Sequence, residues 1–536
     1  MQQEAIHYGI YQKLCFCNQK YTRDVALIYF ERTITYRGLL AQTERCARAL
    51  LRWGVRAGDP VLLCSTPTPE LVYSLLALWK LGAIPHLINP THSKEGLQGC
   101  IQKSKARLLL LLDQLYPQLS PVLEEEDQLH TVVIPATQSM PFLYRRVASK
   151  GLLLPSIPFD SHRFLLWKEF LESGQSISAA TEADVTFEQV AAVVYPSKPE
   201  GAQGGVMLTH GGVCSIMDQY AQSGIFAHRQ ERFLDMIPPW QAAGLTATLL
   251  IPLCLGLSLQ LEPSYQPSAF VTDLLKRKPA HVVASGSFWL YAMKHPRLAD
   301  EDLSYLCTAY TGLGGDCLSK EEEAALNVFL LSHKSQTKLQ KAFAQCELGG
   351  VAVCTKEGAN PFGSVGRPLP AVELAICDKT PDRVLEPLAV GEIWISTPAI
   401  MAGYYQNAEE TKALLYEDSS GQRWCRSGKL GFLSEEGNLY LVSDSPAPIY
   451  EAEEQEAEAV VEEQKEEAEE AIGLQEEQNT QEIPEPQEPQ ESQETQETQQ
   501  TQEESKELQR LQERSEPQEP QALQEIQEPP KPHQTE

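Results

Sequence analysis

No CxxC pair occurs in the chain, and none of the thirteen cysteines is spaced like a zinc ligand; only Cys15-x-Cys17 stand close together. Scattered thiols of this kind read as reduced side chains, so a cytosolic (cytoplasmic) compartment is expected. The first thirty residues lack the apolar core of a signal peptide and carry Lys13, Lys20, Arg23 and Asp24 among polar neighbours, so export is not expected. Long hydrophobic runs are missing as well. The longest apolar stretch, 247–259, is broken by Pro252 and Gly256 and falls short of the roughly 20 residues a membrane span needs. It reads as a buried helix leading into a strand. Basic excess is also lacking, with 44 Lys and Arg against 73 Asp and Glu. Such a balance offers no broad cationic face, which excludes nucleic acid and anionic lipid surfaces as partners.

What is present divides into two unlike parts. Residues 451–536 contain no Phe, Trp or Tyr, hold 28 Glu against five Lys or Arg, and so contribute about −23 of the −29 net charge. Low hydrophobicity with high like charge cannot bury enough surface to offset chain entropy. Residues 447–536, with repeats such as "PEPQEPQESQETQETQQTQEES", therefore read as a disordered Glu/Gln/Pro-rich acidic tail. The stretch 504–514, "ESKELQRLQER", reads as transiently helical. The tail is either a solvated spacer or a segment that docks a protein partner.

The first 446 residues are only mildly acidic, and at 42% hydrophobic the chain has ample material for large cores. From 33 to about 442, helical periodicity alternates with short β-branched runs, the pattern of βα units around a largely parallel sheet. An α/β class follows. In "YRGLLAQTERCARALLRWGVRAGD" Leu39, Leu40, Cys46, Ala49 and Leu50 recur at helical spacing up to Gly54, and "PVLLCS" then reads as a strand. "AAVVYPS", "HVVASGS" and "LCTAYTGLGG" are strand-like runs entering Gly- or Ser-bearing loops, the places where α/β sheets put ligands.

Several ordered motifs within 33–442 resemble those of the AMP-forming acyl-CoA synthetases of the adenylate-forming superfamily, close to the fatty-acyl ligase type. "ITYRGLL", "FLDMIPPWQAAGL", "DLSYLCTAYTGLGGDCLS", "GSVGRPLPAVELAICD" and "GEIWISTPAIMAGYYQNAEET" follow in the family's order. The resemblance implies a large domain over 1–446, made of two α/β subdomains and a smaller β-rich one at 371–442. It also implies ATP, magnesium and coenzyme A as reactants, with an acyl chain or acyl-CoA as ligand.

The same resemblance exposes departures. Against the family's loop YTSGTTGxPKGxxLTH, the chain reads "YPSKPEGAQGGVMLTH" from Tyr195 to His210 without a gap. Tyr195, Ser197, Gly201, Gly205, Leu208, Thr209 and His210 keep the framework. Pro196, Lys198, Pro199, Glu200 and Gly204 replace the residues that wrap a polyphosphate, with Gly204 at the lysine. Two prolines remove N–H donors and Glu200 brings a like charge toward phosphate. Three lost charge-assisted bonds at roughly 1.5 kcal/mol each cost on the order of a thousandfold in affinity.

The YGxTE motif reads "FAQCE": Glu347 stands at the magnesium position, while Phe343, Ala344 and Cys346 replace Tyr, Gly and Thr. Glu347 is either a remnant of the metal site or a carboxylate kept for local pairing. Cys346 has no motif-linked His or Lys and reads as a packing thiol. Lys429 stands at the aspartate that clamps the ribose, and an ammonium has no acceptor to offer. Asp444 stands at the hinge arginine, Gln241 at a usual histidine, and Ser285, Gly286 and Ser287 at Val-Pro-Thr. Gly314 and Gly315 keep the family's adenine-side positions, or simply serve a tight strand-to-loop turn. No βα pattern of the family's small lysine-bearing C-terminal domain follows.

These changes point to a degenerate family member, weak or inactive in ATP-dependent adenylation, that acts by binding or scaffolding. Two alternatives stand beside it: an active divergent ligase completed by a separate protein, and an α/β mount for a functional tail.

Overall fold

The structure, a computed structural model, describes residues 9–142, 144–146, 157, 163–196, 204–226, 228–313, 318–356, 361–378 and 384–442. Contacts separate the chain into Met1–Pro446 and Ala447–Glu536. All described residues belong to the first unit. The predicted tail 447–536 lies outside them.

Local chemistry sets the elements. In helix Tyr36–Arg52 the preceding Thr35 caps the first turn, its Oγ1 accepting from Gly38 N at 3.2 Å. Leu39, Thr43, Cys46, Ala47 and Leu50 form the buried stripe, and Gly54 in the left-handed region turns the chain into strand Pro60–Cys64. Helix Pro69–Leu81 repeats the device, with Thr68 as cap, Pro69 opening the helix and left-handed Gly82 closing it. Every residue of that helix except Lys80 is buried, so it runs through the core.

An eight-stranded sheet runs in the order Gly403–Tyr404, Val206–Thr209, Val190–Val194, Ile84–Leu87, Pro60–Cys64, Leu108–Leu112, His130–Ile134, Phe164–Leu166. Its last six strands are parallel, and the first two join antiparallel at the edge. A nine-stranded sheet runs Arg367–Pro368, Gly350–Cys354, Leu339–Gln345, Thr308–Thr311, His281–Val283, Arg232–Asp235, Ser258–Leu261, Val25–Tyr29, Arg32–Thr35. Here six central strands are parallel, from Leu339–Gln345 to Val25–Tyr29. Five antiparallel strands between Glu373 and Val442 make a third, small sheet. Within the span 371–442, strand Gly403–Tyr404 leaves that small sheet and pairs with Val206–Thr209 of the eight-stranded one.

One large core packs helices Tyr36–Arg52 and Pro69–Leu81 with both large sheets. A second cluster gathers Phe270, Trp289, Leu326 and Leu330 on one side of the nine-stranded sheet. The apolar run 247–259 forms the end of a π-helix, Gly244–Leu250, then helix Ile251–Leu255 and strand Ser258–Leu261. No helix among the described residues is long and apolar enough to cross a membrane.

Candidate functional site

The loop at 195–205 connects two antiparallel strands, Val190–Val194 and Val206–Thr209, whose ends pair Val194 with Val206. Its middle, including Ser197, Lys198, Pro199, Glu200 and Gly201, lies outside the described residues, as do Gly314, Gly315 and Asp444. The loop's two ends are firmly held. Tyr195 is buried, and its hydroxyl lies 3.0 Å from His86 Nδ1. Burial pushes His86 down to about 3, so the imidazole is neutral near pH 7, and burial pushes the Tyr195 hydroxyl up. At the far end Thr209 caps helix His210–Ser223, accepting from Gly212 N at 3.0 Å. His210 is buried, pushed down to about 4 by that burial, and its Nδ1 accepts from Ile10 N at 3.4 Å. The motif's Tyr, Thr and His thus anchor the two ends of the loop.

Gly205 packs on the loop's own tyrosine. Gly204 has a different neighbour: a Cβ built there would lie 2.6 Å from Tyr404 Cβ. Real Cβ atoms do not come that close, so the position aligned with the family's lysine is closed to any side chain while Tyr404 stays in place. Tyr404 is held by its backbone N–H donating to Thr411 Oγ1 at 2.8 Å and by Tyr405 N donating to Gly205 O at 2.7 Å.

The hydroxyl of the same tyrosine donates to Glu347 Oε1 at 2.6 Å. Glu347 sits in a 3-10 turn, Cys346–Leu348, directly after strand Leu339–Gln345, and is buried. Burial, then the Glu347 carboxylate, push the Tyr404 hydroxyl far above its ordinary range, so it stays a donor. The Glu347 carbonyl accepts from Met401 N at 2.9 Å. Residues 401–405 therefore tie the glutamate of one large sheet to the loop of the other.

Phe343, Cys346 and the segment that precedes Lys429 lie along this seam. Phe343 is buried on strand Leu339–Gln345, opposite Val353. Cys346 Sγ accepts from Ala242 N at 3.3 Å, next to Gln241 at the start of the π-helical segment. Gln345 Nε2 donates to Ser427 O at 2.8 Å, which brings the irregular stretch Ser427–Lys429 of strand Arg423–Leu433 beside "FAQCE". Lys429 itself is exposed. Pro196 is a partly exposed residue at the loop's entrance. Ser285 caps helix Gly286–Lys294 and pairs with Ser287 at 2.8 Å, so these serines serve the helix start.

The described residues do not fit a magnesium nucleotide in the way the resemblance implies. The lysine position is filled by a tyrosine ring, the metal glutamate accepts a short bond from that ring's hydroxyl, and the ribose position presents a cation. Among the described residues no cluster of His, Cys, Asp or Glu has the arrangement of a metal site. Tyr404 and Gln345 organise this seam but were not singled out from the sequence. The only signal for Tyr404 was its place in the quoted "MAGYYQN" segment.

Residues 16–405 match the family of AMP-binding enzymes. The chain is 24% identical over 438 residues to a long-chain-fatty-acid–CoA ligase of Bacillus subtilis, covering 79% of this chain and 74% of that protein. It is 25% identical over 417 residues to a 4-coumarate–CoA ligase of Humulus lupulus, covering 76% and 70%. Among solved structures, an anthranilate–CoA ligase in complex with anthranoyl-AMP superposes with a TM-score of 0.70 at 18% identity, over 81% of this chain and 78% of that one. A long-chain-fatty-acid–CoA ligase from Archaeoglobus fulgidus superposes with a TM-score of 0.68 at 20% identity, over 82% and 84%.

Proposed function

The chain belongs to the AMP-binding enzyme family and is related to AMP-forming acyl-CoA ligases, and on that premise we propose that it is a degenerate member which adenylates carboxylates weakly or not at all. It acts instead by binding an acyl chain or acyl-CoA and by scaffolding a protein partner in the cytoplasm. The observation that carries this reading is Tyr404, which fills the space at Gly204 and donates to Glu347. One side chain thereby occupies two positions that the resemblance assigns to phosphate and metal. Lys429 adds a third mismatch, because a ribose diol needs an acceptor there.

Calorimetric titration of the full chain with ATP and magnesium, repeated with AMP and a stable acyl-adenylate mimic, tests the proposal. No heat at millimolar nucleotide is expected. Micromolar ATP binding would overturn it.

One observation favours a second reading, an active divergent ligase completed by another protein: Glu347 is present and buried at the metal position. That reading requires pyrophosphate release from ATP and a fatty acid, abolished by Glu347→Gln. Its absence in the presence of cell extract removes the alternative.

A further inference from the structure

The small sheet turns one face to the core, through Ile376, Ile393, Ile395, Cys425 and Leu439. Side chains alternate along a strand, so its other face carries Trp394 of strand Gly391–Ser396 and Tyr416 of Leu415–Glu417. Trp424 and Phe432 of Arg423–Leu433 and Tyr440 of Leu439–Val442 join them there. The outward face of an antiparallel sheet is ordinarily polar, yet this one holds five aromatic rings. Trp394 meets Tyr416 edge to face with centroids 5.7 Å apart, and Phe432 stacks on Tyr440 at 4.9 Å. Val384, opposite Cys377, and Leu430, opposite Glu392, lie on the same face. Gly391 faces the core, where a Cβ would meet Leu385 and Ile376, so Val390 before it faces outward. Val384, Val390 and Leu430 are 66%, 52% and 37% exposed. Among the described residues, the hydrophobic cluster around Trp394 draws only on strands of this sheet.

Polar groups on this face are partnered within the sheet. Arg426 donates to Glu392 Oε2 from Nη2 at 2.8 Å and from Nε at 3.2 Å, and its guanidinium lies 5.5 Å from the centre of the Trp394 ring. The indole N–H groups of Trp394 and Trp424 donate to Glu392 Oε2 at 3.3 Å and to Asp418 Oδ2 at 3.0 Å. What remains for a partner is ring surface and aliphatic carbon, the make-up of an interface centre. The surrounding charge is acidic. Residues 373–442 hold eleven Asp and Glu against six Lys and Arg, and 451–536 adds about −23. A second copy, at net −29, would set like charge against like, whereas a cationic rim around an apolar centre is complementary. Four strands abreast at about 4.8 Å spacing, along the eleven-residue strand Arg423–Leu433, make a face roughly 20 Å wide and 30 Å long. A helix of about 18 residues, about 27 Å long and about 10 Å across, fits along it.

We infer that the outward face of the small sheet, centred on Trp394, Tyr416 and Trp424, docks a basic amphipathic helix of a partner protein. Apolar side chains of that helix, repeating at i, i+3, i+4 and i+7, pack on the aromatic rings and on Val384, Val390 and Leu430. Its Lys and Arg side chains face the acidic rim. The surface rests on the scaffolding role proposed above and is independent of the loss of adenylation. ATP binding would therefore leave it standing, and a failed helix-binding assay would leave the nucleotide reading standing.

The test titrates the full chain into a fluorescein-labelled synthetic peptide of about 18 residues, built only of Leu and Lys with Leu at helical spacing, at about 0.15 M salt, and reads anisotropy. Saturable binding is expected, and the same peptide with Glu in place of Lys should bind at least about tenfold more weakly. Val384→Ser, Val390→Ser and Leu430→Ser together add no charge and alter only exposed side chains, so the urea midpoint should hold while Lys-peptide binding weakens about tenfold or more. Unchanged binding by the triple variant would overturn the proposal, because the peptide would then be held by acidic sequence elsewhere. So would equal binding of the two peptides, or no binding at all. A parent chain that sediments as a dimer, and a triple variant that sediments as a monomer, would assign the face to a second copy and overturn it as well.

Discussion

Gly204→Lys restores the side chain that the resemblance places at the loop, and the structure argues that it fails. Its Cβ would lie 2.6, 3.1 and 3.2 Å from Tyr404 Cβ, Cγ and Cδ1. The first of these atoms is the root of the side chain and moves only with its backbone. That backbone is pinned at Tyr404 N and at Tyr405 N, and the ring's far end is pinned on Glu347. Relieving an overlap of this size belongs with overpacking substitutions, which cost about 1–3 kcal/mol. Pulling the hydroxyl off a buried carboxylate adds about 1.5–3 kcal/mol if the ring is displaced. Against this, one restored ammonium–phosphate bond contributes about 1.5 kcal/mol, or roughly tenfold in affinity. The expected outcome is a variant about 1–3 kcal/mol less stable in urea denaturation, still without calorimetric ATP binding. Adding Tyr404→Gly removes the 2.6 Å Cβ along with the ring, so the double variant should be more stable than the sum of the two single changes predicts, with a coupling of at least about 0.5 kcal/mol. A Gly204→Lys protein as stable as the parent, or strict additivity with Tyr404→Gly, refutes the steric argument.

Other measurements probe neighbouring claims. Burial pushes Glu70 up to about 7, against the bond it accepts from Ser139 Oγ at 2.6 Å, so the folded chain keeps a proton that the unfolded chain releases from about pH 4.5 upward. Stability therefore falls as pH rises from about 4.5 to about 7, and Glu70→Gln should flatten that fall by up to roughly 3 kcal/mol in denaturation curves at pH 5 and 8; an unchanged slope refutes it. Lys341 and Glu323 form a buried ion pair at 2.5 Å, so Lys341→Met should cost about 3–5 kcal/mol by leaving a carboxylate buried alone, while Lys341→Met with Glu323→Leu should recover most of it in the same assay. Lys429 is exposed, so Lys429→Asp should leave the urea midpoint within about 0.5 kcal/mol and, because the Gly204 and Glu347 positions are unchanged, yield no ATP heat at millimolar nucleotide.

The alternation of helices and strands was legible because each signal is local. Thr35, Thr68, Thr209 and Ser285 cap the helices they precede, Gly54 and Gly82 turn left-handed where helices end, and apolar stripes such as Leu39–Cys46–Leu50 face inward. The strand runs ending at Val194, Val283 and Thr311 were read from β-branched content, and they proved to be interior strands of the two large sheets. Less of the site was legible. The aligned motifs placed Glu347, Gly204 and Lys429 on a list without saying what touches them.

The sequence alone determined the α/β class, the order of the motifs and the identity of the replaced residues, since caps, periodicity and ordered motifs are properties of neighbours along the chain. Only tertiary structure decided that Tyr404 meets Gly204, 200 positions earlier, as well as Glu347, 57 positions earlier. Such meetings depend on strand order and on which edge of a sheet a returning segment joins. The two residues Gly403–Tyr404 leave the small sheet to pair with Val206–Thr209. That pairing is fixed by the packing of the three sheets together, and no local pattern in the chain encodes it.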